Sequence, residues 1–178
     1  GYQKEMKDLI QRRAYANIPS PINNYQSYGN LDFGNVTGFT FQFDRRRTKN
    51  LELNLTYTLQ FANGSGSDAN SSRNINTRGP IRNLVPLSFD ERHRVTAVVD
   101  YRYASGKNYD GPVIGGLKIF ENAGITFTTL AVSGRPYTRN QIPSQYGGSG
   151  FVGELNGSRL PWTFNIDLRA DKRITIKP

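Results

Sequence analysis

The sequence predicts an all-β fold, namely a transmembrane antiparallel up-and-down β-barrel segment with about six strands of a larger barrel in this chain. Three observations lead there. The first is "LELNLTYTLQF" (51–61), where Leu51, Leu53, Leu55, Tyr57, Leu59 and Phe61 alternate with Glu52, Asn54, Thr56, Thr58 and Gln60. A period of two is a strand with one oily and one polar face. The second is length. Eleven residues rising about 3.3 Å each span about 36 Å, and a tilt near 45° leaves roughly 25 Å, the height of an outer-membrane apolar band. Strands of soluble sandwiches centre on about five or six residues. The third is the asymmetry of the connections. Only "TKN" separates Arg47 from Leu51, whereas "ANGSGSDANSSRNINTRGPIRNLVPLSFDER" separates Phe61 from His93. Compact soluble domains rarely hold loops beyond about 12–15 residues, but outer-membrane barrels pair short periplasmic turns with long extracellular loops.

In chain order, "YQKEMKDLIQRRAY" (2–15) alternates poorly but is read as a strand, followed by a loop at about 16–24. "FTFQFDRR" (39–46) sets Phe39, Phe41 and Phe43 against Thr40, Gln42 and Asp44. The 51–61 strand follows, then a long loop over about 62–92. "RVTAVVDYRY" (94–103) places Val95, Ala97, Val99, Tyr101 and Tyr103 opposite Thr96, Asp100 and Arg102. A medium turn around "ASGKNYDG" leads to "GITFTTLAV" (124–132), with Ile125 and Phe127 opposite Thr126 and Thr128. A third long loop spans about 139–158. Last, "WTFNIDLRAD" (162–171) sets Trp162, Phe164, Ile166, Leu168 and Ala170 against Thr163, Asn165, Asp167, Arg169 and Asp171. The apolar members of these sets, from Phe39 to Leu168, are assigned to lipid. The polar ones, from Thr40 to Arg169, are assigned to a wet lumen.

An open sheet edge cannot sit in hydrocarbon, because unpaired N–H and C=O groups each cost several kcal/mol there. Single-chain bacterial barrels begin at about eight strands. The missing strands come either from "YQSYGNLDF" and "VIGGLKIF" within this chain, or from further chain outside it. The ending "RITIKP", without a terminal aromatic, favours the second, so 1–178 is read as one barrel-segment domain of a longer polypeptide.

Composition agrees and removes other classes. The ten Tyr, ten Phe, eighteen Gly and nine Pro favour strands and turns over helices. No apolar run is long enough for a transmembrane helix, and a mean hydropathy of −0.60 is silent on barrels, where only alternate residues are apolar. Without cysteine there is no disulfide framework, thiolate metal site or cysteine nucleophile. The net charge of +9 suits nucleic acid, anionic lipid or acidic solutes.

Few residues carry reactive chemistry. His93 is the only histidine, so it is read as a rim residue and not as a metal ligand with Asp90 and Glu91. Those two carboxylates are adjacent on a strand and point apart, which argues against paired acid–base catalysis. The Gly-rich "YGGSGFVG" (146–153) lacks the Lys-Ser/Thr and helix of a phosphate loop, and "DRRR" (44–47) is read as a charged turn, not a nucleic-acid patch. No enzyme activity, cofactor or nucleic-acid partner is expected. Arg73, Arg78, Arg82, Arg135, Arg139 and Arg159 in the long loops are candidates for holding an anionic ligand or lipopolysaccharide phosphates. The plainer alternative for them is loop packing and ion pairing.

In order and spacing, "YGNLDFGNVTGFTFQFDRR" (28–46), "VPLSFDERHRV" (85–95), "SGRPYT" (133–138) and "FNIDLRADKRI" (164–174) resemble the C-terminal barrel half of TonB-dependent outer-membrane receptors. The resemblance is to the branch carrying a carboxypeptidase-regulatory-like N-terminal domain. It implies a barrel of about twenty-two strands with a plug, in the outer membrane of a Gram-negative bacterium. It further implies contact with lipid and lipopolysaccharide, and a TonB-type energy-coupling protein that drives import of an iron chelate, vitamin, glycan or peptide. Two alternatives stand beside it. A structural or interaction barrel of an envelope complex would use its loops to bind protein subunits. A soluble carbohydrate-binding sandwich would bury Leu51, Phe39 and Phe41 in a core.

Overall fold

The computed structural model describes residues 1–16, 24–68, 83–142, 145 and 150–174. Among these residues it is all-β apart from one 3₁₀ turn at Gly106–Asn108. The strands are β1 (Tyr2–Ala16), β2 (Asn24–Thr48), β3 (Leu51–Gly64), β4 (Val85–Pro86), β5 (His93–Arg102), β6 (Ala123–Val132), β7 (Pro136–Tyr137), β8 (Ser158–Arg159) and β9 (Thr163–Lys172). The main sheet is antiparallel in the order β1-β2-β3-β5-β6-β9, with β4 added to the far end of β3; β7 and β8 form a separate pair. Among the described residues β1 and β9 do not pair with each other, so the sheet is not closed.

By internal contacts the chain forms two compact units. The first comprises Gly1–Phe39, Leu59–Arg92 and Ser133–Pro161; the second comprises Thr40–Thr58, His93–Val132 and Trp162–Pro178.

The second unit is built on strict alternation. In β5 and β6 the register pairs Val95 with Ala131, Val99 with Phe127 and Tyr101 with Ile125. From β6 to β9 it pairs Ala131 with Phe164, Thr129 with Ile166, Phe127 with Leu168 and Ile125 with Ala170. The intervening rows join Asp100 to Thr126 and then Arg169, and Arg102 to Gly124 and then Asp171. Because side chains alternate faces, this register collects the apolar residues on one side and the charged ones on the other. A slip of one residue would mix them. The Thr- and Val-rich sequences of β5 and β6 suit a pleated surface.

"VIGGLKIF" is not a strand. Gly115 and Gly116 both take positive φ (59° and 77°), and an Ile114–Leu117 bridge closes a tight turn around them. Paired positive φ at both central positions is what a type I′ turn requires, and glycine adopts it without strain.

The first unit differs from the sequence-based expectation in the reach of its strands. "YQSYGNLDF" is the leading part of β2, paired with β1 from Tyr15–Tyr25 to Tyr2–Gly38. β3 continues through Gly64, inside the expected loop, where β4 pairs with it. Of the expected 16–24 loop, 17–23 lie outside the described residues. The packing at this end rests on small residues. Leu87 and Ala62 are the buried hydrophobics among the described residues, and Leu87 lies against Gly34 and Gly64. A Cβ on Gly64 would come within 2.7 Å of the Phe33 carbonyl and 2.9 Å of the Leu87 side chain. The Leu87 N–H donates to the Ala62 carbonyl at 2.9 Å, which holds the returning chain against β3.

Candidate functional site

The polar face of the second unit is one hydrogen-bonded sheet of charges. Asp100 is its centre: Arg47 pairs with it, Thr126 donates to it at 2.7 Å, and Arg102 stands 3.9 Å away. Arg47 also donates to Glu52 at 3.1 Å. Arg102 grips Asp171 with two parallel bonds of 2.8 and 2.7 Å, the bidentate geometry that makes arginine–carboxylate pairs strong. Toward β2, Asp44 accepts from Asn54 and Gln42 (the latter at 2.8 Å), and the Thr40 and Thr58 hydroxyls are hydrogen-bonded at 3.4 Å. Along β9, Asn165 donates to Asp167 at 3.2 Å. A hollow of about 720 Å³ over this face is lined by Asp100, Arg102, Thr126, Asp167, Arg169 and Asp171. With Arg173 also in the lining, three carboxylates and three guanidinium groups surround this hollow, so neither sign is in excess.

Most of the residues assigned to a lumen therefore share this face. Thr96 belongs to it by register, opposite Leu130. Gln60 belongs to the first unit, where the Tyr2 hydroxyl donates to it at 3.1 Å. One network member, Arg47, was not among the sequence-based candidates: it was read as part of a charged turn, and by parity it falls in the row of Phe39, Phe41 and Phe43. Asp171 stood in the odd-numbered polar row of the last strand and joins the network from there.

The opposite face is apolar and exposed. Phe41, Phe43, Tyr101, Phe127, Trp162, Phe164, Ile166 and Leu168 are all exposed, with Ile166 at 67% and Phe41 at 48%; Leu51, Leu53, Leu55, Tyr57, Val95 and Val99 are half-buried. In the first unit Phe39 and Phe61 are likewise exposed and Leu59 is half-buried. Rings gather at the two ends of β5. At its start Tyr57, His93, Trp162 and Phe164 form a stacked row with centroids 6.2, 5.7 and 6.1 Å apart, and the Tyr57 hydroxyl lies 2.9 Å from His93 Nδ1. At its far end Tyr103 contacts Tyr101, Tyr109 and Phe120 at 5.3, 5.9 and 6.1 Å.

The loop candidates divide. Arg73, Arg78 and Arg82 lie outside the described residues. Arg139 joins the Asn140–Phe151 bridge through its carbonyl, which accepts the Val152 N–H at 2.8 Å. Arg135 donates to Glu91 at 2.8 Å. Arg159 pairs with the Asp90 carboxylate and donates to the carbonyls of Asp90 at 2.7 Å and Gly134 at 3.3 Å. Asp90 is only 1% exposed; it also accepts the Ala62 N–H at 2.9 Å and has Arg92 at 3.6 Å. Adjacent Asp90 and Glu91 thus hold different arginines, but not through strand alternation: they lie in the turn segment between β4 and β5, not on a strand as the sequence reading had them. Gly134 is packed so tightly that a Cβ there would run into the Leu160 carbonyl. Beside this clasp a smaller hollow of about 340 Å³ is lined by Ser65, Asp68, Ser88, Asn140, Phe151 and Asn156.

Asp32, in the part of β2 that precedes the exposed apolar band, is pushed above the ordinary carboxylate range by burial and by nearby Asp68, against the lowering effect of a hydrogen bond from Ser65. A carboxyl raised on folding stabilises the fold while protonated, and that stability is lost as pH rises through the folded value. Asp32→Asn is therefore expected to raise the denaturation midpoint slightly at pH 7, by less than about 1 kcal/mol, and to have no effect near pH 3. Paired denaturant titrations at the two pH values check this.

No protein-family model, curated protein or solved structure matches the chain.

Proposed function

We propose that this chain is part of the wall of an outer-membrane β-barrel that imports a scarce ligand, in the manner of the TonB-dependent receptors its sequence resembles. The observation that carries this reading is the outward apolar face of the sheet. A soluble chain of 178 residues has enough length for a sizeable core, yet the large side chains here point out. Monomeric soluble proteins rarely leave a row of large apolar side chains of this kind in water. Lipid is the environment in which it is stable, with the charged face toward water inside a barrel.

The aromatic groups support the same placement. His93 and Tyr101 are eight residues apart on β5, about 26 Å along the strand and roughly 19 Å of height when tilted by 45°. The two ring clusters thus bracket the apolar strip as interfacial girdles do. A core-buried sandwich is disfavoured by the exposure of Phe39 and Phe41. The open edges of β1 and β9 call for further strands, which the receptor reading supplies.

A second reading, a structural barrel of an envelope complex, is favoured by one observation. Arg135 and Arg159 spend their charge on Glu91 and Asp90, which leaves those two loop cations unavailable to an anionic ligand. The experiment that separates the readings uses the natural polypeptide extracted from membranes. The import reading expects recovery only with detergent, an intact mass several times the 20.0 kDa of these residues, and uptake that collapses when the proton gradient is discharged. Recovery in the aqueous phase overturns the barrel reading. Detergent dependence without energised uptake of any ligand class transfers the case to the structural barrel.

A further inference from the structure

The connection from β5 to β6, residues 103–122, is a finger with an apolar, uncharged tip. From Gly111 to Leu117 the sequence "GPVIGGL" carries no charge. Gly115 and Gly116 turn it back with φ of 59° and 77°, and Ile114 and Leu117 exchange backbone hydrogen bonds of 3.1 and 3.0 Å. That closes a two-residue hairpin turn, so the tip has a defined shape. Its side chains stand in the open: Val113 is 57% exposed, Ile114 54% and Leu117 67%.

The finger stands on the apolar face of the sheet. Tyr109 of its outgoing leg and Phe120 of its return leg both pack on Tyr103, at 5.9 and 6.1 Å. Ile119 and Phe120 line a slot of about 530 Å³ together with Tyr101, Ile125 and Ala170, which form one register row of that face. The legs are tied at their root. Lys118 donates to the Gly106 carbonyl at 2.9 Å, Lys172 to the Ile119 carbonyl at 2.6 Å, and the Gly106 N–H to Glu121. The Tyr109 hydroxyl donates to the Pro112 carbonyl at 2.7 Å, and Asp110 accepts from Asn50, in the tight turn between β2 and β3, at 2.7 Å. The root charges Lys107, Asp110, Lys118 and Glu121 balance, so they select no sign of partner.

We infer that this finger is a membrane wedge, with Val113, Ile114 and Leu117 inserted into the interfacial layer of the bilayer beside the sheet. The inference rests on the membrane reading above. It gives a role to a connection which that reading does not itself require, since barrels join strands at the short-turn end with few residues. Continuity with the exposed apolar face, on which both legs rest, argues for lipid as the occupant. A protein partner fits the tip poorly. Specific protein interfaces use about 20–30 residues a side, and the uncharged tip is only the stretch 111–117. A fluid lipid surface takes up a small protruding apolar tip without a matching shape.

The test uses the natural protein reconstituted in phosphatidylcholine vesicles. A nitroxide label is placed at Leu117→Cys, at Lys107→Cys in the root, or at Phe127→Cys in the middle of β6, and each is read against the parent given the same treatment. Collisions with oxygen report lipid, and collisions with a water-soluble nickel chelate report water. The expected result is a Leu117 label reached by oxygen, shielded from the chelate and about 5–10 Å into the headgroup–acyl boundary, with the Lys107 label open to the chelate. A Leu117 label as open to the chelate as the Lys107 label overturns the wedge. One shielded from both probes overturns it in favour of a protein cover. In either case a Phe127 label held in lipid leaves the membrane reading intact. Chelate access at Phe127 defeats the membrane reading, and the wedge with it.

Discussion

If the proposed membrane placement holds, Phe127→Arg is expected to destabilise the protein in a bilayer by about 2–4 kcal/mol, whereas Thr128→Arg, one residue along β6, is expected to cost less than about 1 kcal/mol. The pair is informative because adjacent strand residues face opposite ways. Phe127 lies at the middle of β6 on the apolar face, between Val99 and Leu168, and is 41% exposed. Thr128 lies on the polar face between Val98 and Asp167, where a new guanidinium finds a carboxylate. In water the result would be different. An exposed Phe exchanged for Arg in a soluble sheet changes stability by about 0.5 kcal/mol or less. Unfolding in lipid bilayers, with both variants measured against the parent, gives the difference directly. Equal and small effects would mean that this face does not meet hydrocarbon. Phe41→Arg on β2 repeats the test at an independent place, since Phe41 is 48% exposed on the same kind of face.

Asp90→Asn is expected to cost about 3 kcal/mol, the lower end of the range for breaking a buried ion pair, because Arg159 keeps some contact with water. The side chain of Asp90 is 1% exposed and that of Arg159 25%. The substitution preserves shape and leaves an oxygen to accept the Ala62 N–H, so the loss reports charge and not volume. The damage should be local. Amide exchange at Ala62, Leu87 and Leu160 should accelerate, while amides of β5 and β6 keep their protection. Arg159→Gln in the Asp90→Asn background should then cost much less than Arg159→Gln alone, since the partner is already gone. A loss below about 1 kcal/mol with additive single changes would show that the clasp between the 85–92 segment and β8 does not depend on the ion pair.

The strands were legible wherever alternation was unbroken. Expected spans of 94–103, 124–132 and 162–171 became β5 at His93–Arg102, β6 at Ala123–Val132 and β9 at Thr163–Lys172. Alternation was enough because each of these strands has both faces chemically distinct, so only one register separates them. The leading part of β2 was legible only as an alternative, "YQSYGNLDF" as an extra strand, and not as one continuous strand with 39–46. "YGNLDFGNVTG" has glycines and asparagines that weaken strand propensity, and its ladder to β1 supplies the hydrogen bonds that the local sequence does not advertise. The far end of β3 was hidden for a related reason, since Ala62 and Gly64 read as loop residues but serve as the low surface on which Leu87 packs.

The sequence by itself determined the all-β class, the order of the long strands, and which residues share a face. These follow from a period of two and need no partner strand to be known. Tertiary structure decided which charges meet. Arg102 with Asp171 and Arg159 with Asp90 are each separated by 69 residues, and Arg47 reaches Asp100 across 53. It also decided that two of the loop arginines serve as clasps, and that small residues of β6 and β9 open a slot beneath the rings of Tyr103 and Phe120. Such pairings depend on strand register and loop closure. Those are properties of the assembled sheet, and no local pattern of residues encodes the distance across it.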